Sequence, residues 1–405
     1  MNGTIAGVIV GLIVALAAIG VLTGEEQSAA PPDAAAGPSV ERVARLVERV
    51  RELEFERLPR VRRISGEQAR RTGLRELDRK VTRAEVAAEE RLLKLLGLLP
   101  PDSTLRDLLG KALGNEVGGF YLPRTRTLSI VEGSGGGGLL GDVTLAHELT
   151  HALEDQHFGI DSAGSTGFRR DRSVARDALT EGTATVAMID YLLLSQQRVA
   201  DVPARLRTRV LKSIAEATLP ASSGLPRYVR EGFVFPYVAG ARLVNRIEGR
   251  GGWDAVNRAL GPEAPLSSEQ LMHPHKYDAR ERPVRVRLPG LERALPAGAE
   301  LLERGDIGEF DTEQLLRDAN GRRRSARAAA GWGGATFGLW LLSGERHVLV
   351  VRWVWDTARD AREFSAAARR SARALGGAVR ARGPDVALAI APRGAGALAA
   401  RAVAG

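Results

Sequence analysis

Two histidines four residues apart, with a glutamate directly after the first, restrict the segment LAHELTHALEDQHF to a helix if the three are to act together. Four residues of helix bring His147 and His151 onto one face in adjacent turns, where both imidazoles can grip one ion. Glu148, turned by about 100°, reaches a water at that ion rather than the ion itself. Val143, Ala146, Leu149 and Leu153 supply a core-facing stripe, and Asp142 is expected to cap the helix at its start. Zinc is the expected metal.

The chain contains no cysteine, so thiolate ligands and disulfides are excluded and only His, Asp and Glu remain as strong ligands. A catalytic zinc takes three protein ligands and keeps one position open. His157 stands ten residues after His147, the spacing that metzincins use. There, a glycine seven residues after the first histidine turns the chain back to the metal, and here that position is Glu154. In an unbroken helix His157 lies about 9 Å beyond His151 along the axis and on another face. The other candidate is Glu181 in DALTEGTAT, on a separate helix. The intervening FGIDSAGSTGFRRDRS is long enough to return that helix against the first.

HELTHALEDQHF followed by ALTEGTA resembles the gluzincin metallopeptidases, and more narrowly a group of exported bacterial and archaeal zincin-like proteins. The likeness is strong over residues 141–185 and weaker at FVFPYVAG, SSEQLMHPHKY and GWGG. It implies zinc held by His147, His151 and Glu181, with Glu148 moving the proton during hydrolysis of a peptide or protein substrate. It also implies a His or Tyr beside the developing oxyanion, for which His273, Tyr277 and Tyr237 are candidates. Gluzincins often place an Asp four residues after the ligand Glu to support a ligand His. Here that residue is Thr185, so support must come from elsewhere, with Asp177 and Asp155 as candidates. The competing expectation is a non-catalytic, membrane-tethered envelope protein whose zinc site is structural or vestigial, with His157 or His273 recruited as a fourth ligand.

The rest of the 405 residues sets the context. Ile5 to Leu22 is an uncharged apolar run, so residues 1–24 are read as a transmembrane anchor or signal segment and 25–38 as a flexible linker. No basic cluster flanks the run, and acids follow it. This favours a single-pass protein with its body outside the cytoplasm, or secretion after cleavage. Residues 39–290 are read as the zincin-like metallopeptidase domain and 291–405 as a C-terminal α/β subdomain. The fold class is α+β: largely helical, with a small mixed sheet. The net charge is +9, but arginines interleave with acids, as in VERVARLVERVRELEFER, and no recognition module accompanies them, so nucleic acid is not an expected partner. TLSIV, residues 127–131, is expected to offer a sheet edge on which an extended peptide could add.

Overall fold

The computed structural model describes residues 40–115, 118–132, 138–160, 171–196, 202–217, 224–288, 290–295, 297–344 and 346–404. The segment 1–24 read as an anchor or signal, the segment 25–38 read as a linker, and residues 161–170 between the helix with His147 and His151 and the helix with Glu181 lie outside these. Among the described residues no helix is long and apolar enough to cross a membrane.

In chain order the elements are α1 (Val40–Arg51), β1 (Arg60–Ile64), α2 (Gly66–Lys80), α3 (Arg83–Leu95), α4 (Leu105–Asn115), β2 (Gly119–Leu122), β3 (Thr127–Val131), α5 (Leu139–Phe158), α6 (Asp171–Ser195), α7 (Ala204–Ala217) and α8 (Arg227–Leu260). There follow α9 (Ser268–Met272), α10 (Pro274–Asp278), β4 (Glu300–Gly305), α11 (Glu309–Asn320), α12 (Arg322–Ala329), β5 (Trp332–Leu341), β6 (His347–Trp355), α13 (Ala358–Ala374), β7 (Gly377–Arg382), β8 (Asp385–Ile390) and α14 (Ala395–Ala402). The protein is a mostly helical α+β chain with one small mixed sheet and one antiparallel sheet. It forms two compact units. The first draws on residues 1–80, 106–166 and 174–265, the second on 81–105, 167–173 and 266–405.

In the first unit, helices pack around the sheet β1-β3-β2, with β1 parallel and β2 antiparallel to β3. The edge expected at TLSIV is therefore overturned. β3 is the central strand, both of its edges are taken, and the outer strands are β1 and β2. Leu128 and Val131 are buried, as suits a central strand rich in β-branched and apolar residues. α8 is broken at Gly251 and at Gly252, which has φ 62°, a conformation available to glycine without strain. α6 and α8 cross with their backbones almost touching: a Cβ on Gly240 would lie 1.7 Å from the Ala178 carbonyl oxygen, and one on Gly182 2.2 Å from the Gly240 carbonyl carbon.

In the second unit the five strands run in the order β4-β5-β6-β8-β7, all neighbours antiparallel. Alternate residues of β6 face opposite ways. Val348 and Val350 join Trp340 and pack under Leu398, Ala399 and Ala402 of α14. Trp353 and Trp355 pack on Phe364 of α13, with ring centroids 4.9 Å and 4.4 Å away. Buried indole N–H groups need acceptors. Trp353 donates to the Thr312 hydroxyl and Trp332 to the Ile307 carbonyl. The stretch before β4 that reads as a strand, VRVRL, forms none; Val284 donates one backbone bond to Gly333.

Candidate metal centre

α5 begins at Leu139, so Asp142 sits within its first turn and is not the cap. Its carboxylate pairs with Arg42 and accepts a bond from the Tyr191 hydroxyl at 3.3 Å, tying the start of α5 to α1 and α6. A carboxylate there also suits the positive end of the helix dipole. The helix ends at Gly159, which takes the left-handed conformation at φ 62°. Between these ends it runs unbroken past Glu154. His157 is consequently exposed on another face and donates Nε2–H to the Glu54 carbonyl at 2.8 Å.

His147 and His151 point their Nε2 atoms at each other, 3.2 Å apart. Glu181 Oε2 on α6 completes a triangle, 3.3 Å from His147 Nε2 and 3.4 Å from His151 Nε2. Tetrahedral ligands at zinc bond lengths are separated by 1.63 times the bond, or about 3.3–3.4 Å. The three atoms thus occupy one face of a tetrahedron of zinc dimensions. All three side chains are buried, with His147 at 0% exposure. Two imidazoles and one carboxylate leave a divalent ion with net positive charge, so the donor set fits zinc chemically as well as geometrically.

The charges within the group support each other. Burial would raise Glu181, but His151 and His147 hold its carboxyl at about 2. Burial would lower the His151 ring, yet Glu181, Glu148 and Glu154 raise it to about 9. Burial dominates at His147 and lowers it. Glu148 is pushed up to about 7 by burial, with His151 and the Tyr121 backbone N–H acting against that and Glu181 adding to it. Glu148 lies under β2, where a Cβ on Gly119 would come within 3.3 Å of its Cγ.

Tyr237 of α8 is fully buried and stacks on the His147 ring, centroids 5.7 Å apart at 21°. The close crossing at Gly240, one turn further along α8, is what brings this ring against α5. The support expected from Asp155 is not there, because its carboxylate accepts from the Tyr121 hydroxyl at 3.0 Å. Thr185 donates to the Glu181 carbonyl in its own helix. Neither His147 Nδ1 nor His151 Nδ1 makes a full hydrogen bond, although the Ala184 carbonyl lies close enough to favour a charged His147 ring.

The structure brings His147, Glu148, His151, Glu181 and Tyr237 together in the first unit. His273 and Tyr277 belong to the second unit and have partners there. His273 Nε2 bonds Glu309 at 2.8 Å, and Tyr277 is buried with the Arg280 guanidinium 4.9 Å from its ring centroid.

Sequence reasoning missed a buried network behind the ligands. Glu154 accepts from Arg51 Nε at 2.8 Å and from the Thr183 hydroxyl at 2.7 Å. Arg51 is held in turn by Asn257 and by the Trp253 ring, 4.0 Å from its guanidinium carbon. The one available signal was Glu154 itself, a carboxylate seven residues after His147 and therefore on the same helix face.

One other group among the described residues has metal-ligand spacing: Glu269, Glu281 and Asp356 in the second unit. Lys276 Nζ stands among them at 2.6, 2.7 and 2.5 Å and supplies the cation itself.

Residues 299–402 match the family model described as Domain of unknown function (DUF8575), which takes in β4 to α14 and leaves out the histidine–glutamate group. No curated protein and no solved structure matches the chain.

Proposed function

We propose that the first unit is a zinc-dependent peptidase of gluzincin type, acting outside the cytoplasm. The observation that carries this reading is the buried triangle of His147 Nε2, His151 Nε2 and Glu181 Oε2 at zinc dimensions, with Glu148 beside it. A zinc ion held by these three would supply Lewis acidity, polarising a carbonyl and easing the ionisation of water near neutral pH.

The remaining work falls to the chain. Glu148, buried beside the triangle, accepts a proton from the attacking water and returns it to the leaving amine nitrogen. Tyr237 fixes the His147 ring plane by stacking. β2 has a strand neighbour on one side only, and its Tyr121 N–H reaches the Glu148 carboxylate, so an extended peptide pairing along β2 would present its carbonyl beside Glu148.

A second reading, a non-catalytic protein with a structural or vestigial site, draws on the depth of burial and on the two Nδ1 atoms that lack full hydrogen bonds. Glu148→Gln separates the two. In a peptidase it abolishes hydrolysis of an unstructured protein substrate while zinc content stays at the wild-type level. Wild-type protein that carries zinc and cleaves no peptide, with Glu148→Gln indistinguishable from it, would establish the second reading.

A further inference from the structure

The +9 charge of the chain is unevenly placed. Residues 321–405 hold fifteen arginines against five acids, so this segment alone exceeds the net charge of the whole. Much of the surplus lies on α12 and α13. Arg322, Arg323, Arg324 and Arg327 are exposed and, with Asn320 and Gly321, line an open concavity of about 560 Å³. Arg370 of α13 joins its rim by donating to Asn320 Oδ1 at 2.6 Å. Arg362, Arg369 and Arg373 continue along the exposed side of α13.

A merely solvated helix face interleaves opposite charges, as α1 does with Glu41 and Glu48 among its arginines. Three of the nearby acids are engaged elsewhere, and a fourth, Asp318, is exposed in the last turn of α11. Glu313 pairs with Arg317, Glu363 with Arg359, and the Asp360 carboxylate accepts from the hydroxyl of Thr357, the N-cap of α13. The sides of these helices turned inward carry small residues, among them Ser325, Ala328, Ala367 and Ala372. The arginines lie on the exposed sides of both helices.

We propose that this arginine face docks on the anionic headgroups of a phospholipid bilayer. Clustered guanidinium groups match an array of phosphates. The exposed large hydrophobic side chains among the described residues are Val61, Val284 and Leu301, and none lies on these helices. The face therefore has no aromatic platform on which unstacked bases would rest, and no wedge for entering the acyl layer. Contact is electrostatic and stays at headgroup depth. The uncharged run Ile5 to Leu22 in the same chain brings a bilayer within reach. The proposal is independent of the peptidase reading.

The absence of cysteine allows a single label to report it. Ala326→Cys, exposed between the arginines of α12, carries a donor fluorophore on the full chain. Vesicles carry an acceptor on their headgroups and consist of phosphatidylcholine alone or with phosphatidylglycerol added. The run Ile5 to Leu22 contributes equally to both compositions, so the difference between them isolates charge. Energy transfer is expected to rise with phosphatidylglycerol, and that increment to vanish near ~1 M salt, where screening acts within about 3 Å. R322S/R323S/R324S should weaken this charge-dependent docking about a hundredfold, and R322K/R323K/R324K should largely retain it. Equal transfer from the two vesicle types overturns the proposal. So does loss of the phosphatidylglycerol signal to an equal concentration of duplex DNA phosphate, which would assign the face to nucleic acid.

Discussion

The Thr183 hydroxyl donates to Glu154 Oε2 at 2.7 Å, bonding the helix that bears both histidines to the helix that bears Glu181. Glu154 is three residues past His151 and Thr183 two past Glu181, so the link lies within one turn of the candidate ligands on both helices. Arg51 neutralises Glu154 from the other side. Removing one member of a buried ion pair leaves the other charge uncompensated, at a typical cost of about 3–5 kcal/mol. Glu154→Ala is expected to lose that much in denaturant unfolding. Thr183→Val, which removes a bond to a charged group, should lose about 1.5–3 kcal/mol and weaken zinc binding, while Thr183→Ser keeps both. Wild-type zinc affinity in Thr183→Val would show that the link does not position the ligands.

Zinc stoichiometry tests the ligand set directly. Wild type and His157→Ala should each bind one ion, because His157 faces solvent and bonds the Glu54 carbonyl. Glu181→Ala should bind none with comparable affinity, since it removes one corner of the triangle. Metal analysis after dialysis against a weak chelator reads all three proteins.

The helix crossing at Gly240 predicts opposite outcomes for two glycine-to-alanine changes on α8. In a helix interior the change itself favours folding by about 1 kcal/mol. At Gly232 nothing lies within 4 Å of the new Cβ, so Gly232→Ala should raise the unfolding midpoint. At Gly240 the Cβ would lie 1.7 Å from the Ala178 carbonyl oxygen, and the helices must separate. Gly240→Ala should therefore destabilise the protein by about 1–3 kcal/mol or more and disturb the site that the crossing positions.

The His273–Glu309 pair sets a pH dependence in the second unit. The hydrogen bond that His273 donates to the Glu309 carboxylate raises the His273 pKa despite partial burial. A histidine with a raised folded pKa contributes stability in full below its unfolded value of about 6.5, and that contribution is lost as pH rises through the folded value. Burial raises Glu309 as well, although His273 counters it, and this shift has the same sign. The urea midpoint of the second unit's transition should fall between mildly acidic and mildly alkaline pH. His273→Gln should flatten that slope, and an unchanged slope would dismiss the pair as its source.

Much of this arrangement was legible where periodicity and composition agree. The span of β3, the helices carrying His147 and Glu181, the break near Gly251 and the strands rich in Trp, Val and Leu all follow from local pattern. β4 and β7 were not legible, because ELLERG and GAVRAR are outer strands with exposed, charged or glycine-containing sequences that carry no alternating apolar signal. The central position of β3 was equally hidden. TLSIV looks the same whether one or two strands flank it, and the partner on its second side, RVRRI, contributes a single buried residue. At the candidate site, spacing within one helix exposed His147, Glu148 and His151. The stacking of Tyr237 on His147 and the partners of Glu154 depend on helix crossings between residues far apart in the chain, which local spacing does not show.

Lys276, seated among Glu269, Glu281 and Asp356, gives the second unit a cation that is covalently part of the chain. Its carboxylates are neutralised whatever the supply of divalent ions around the protein. The ion that His147, His151 and Glu181 are proposed to share would have to come from outside the chain. If the first unit holds zinc as proposed, a chelating environment would act selectively, loosening that unit while the carboxylates around Lys276 stay neutralised.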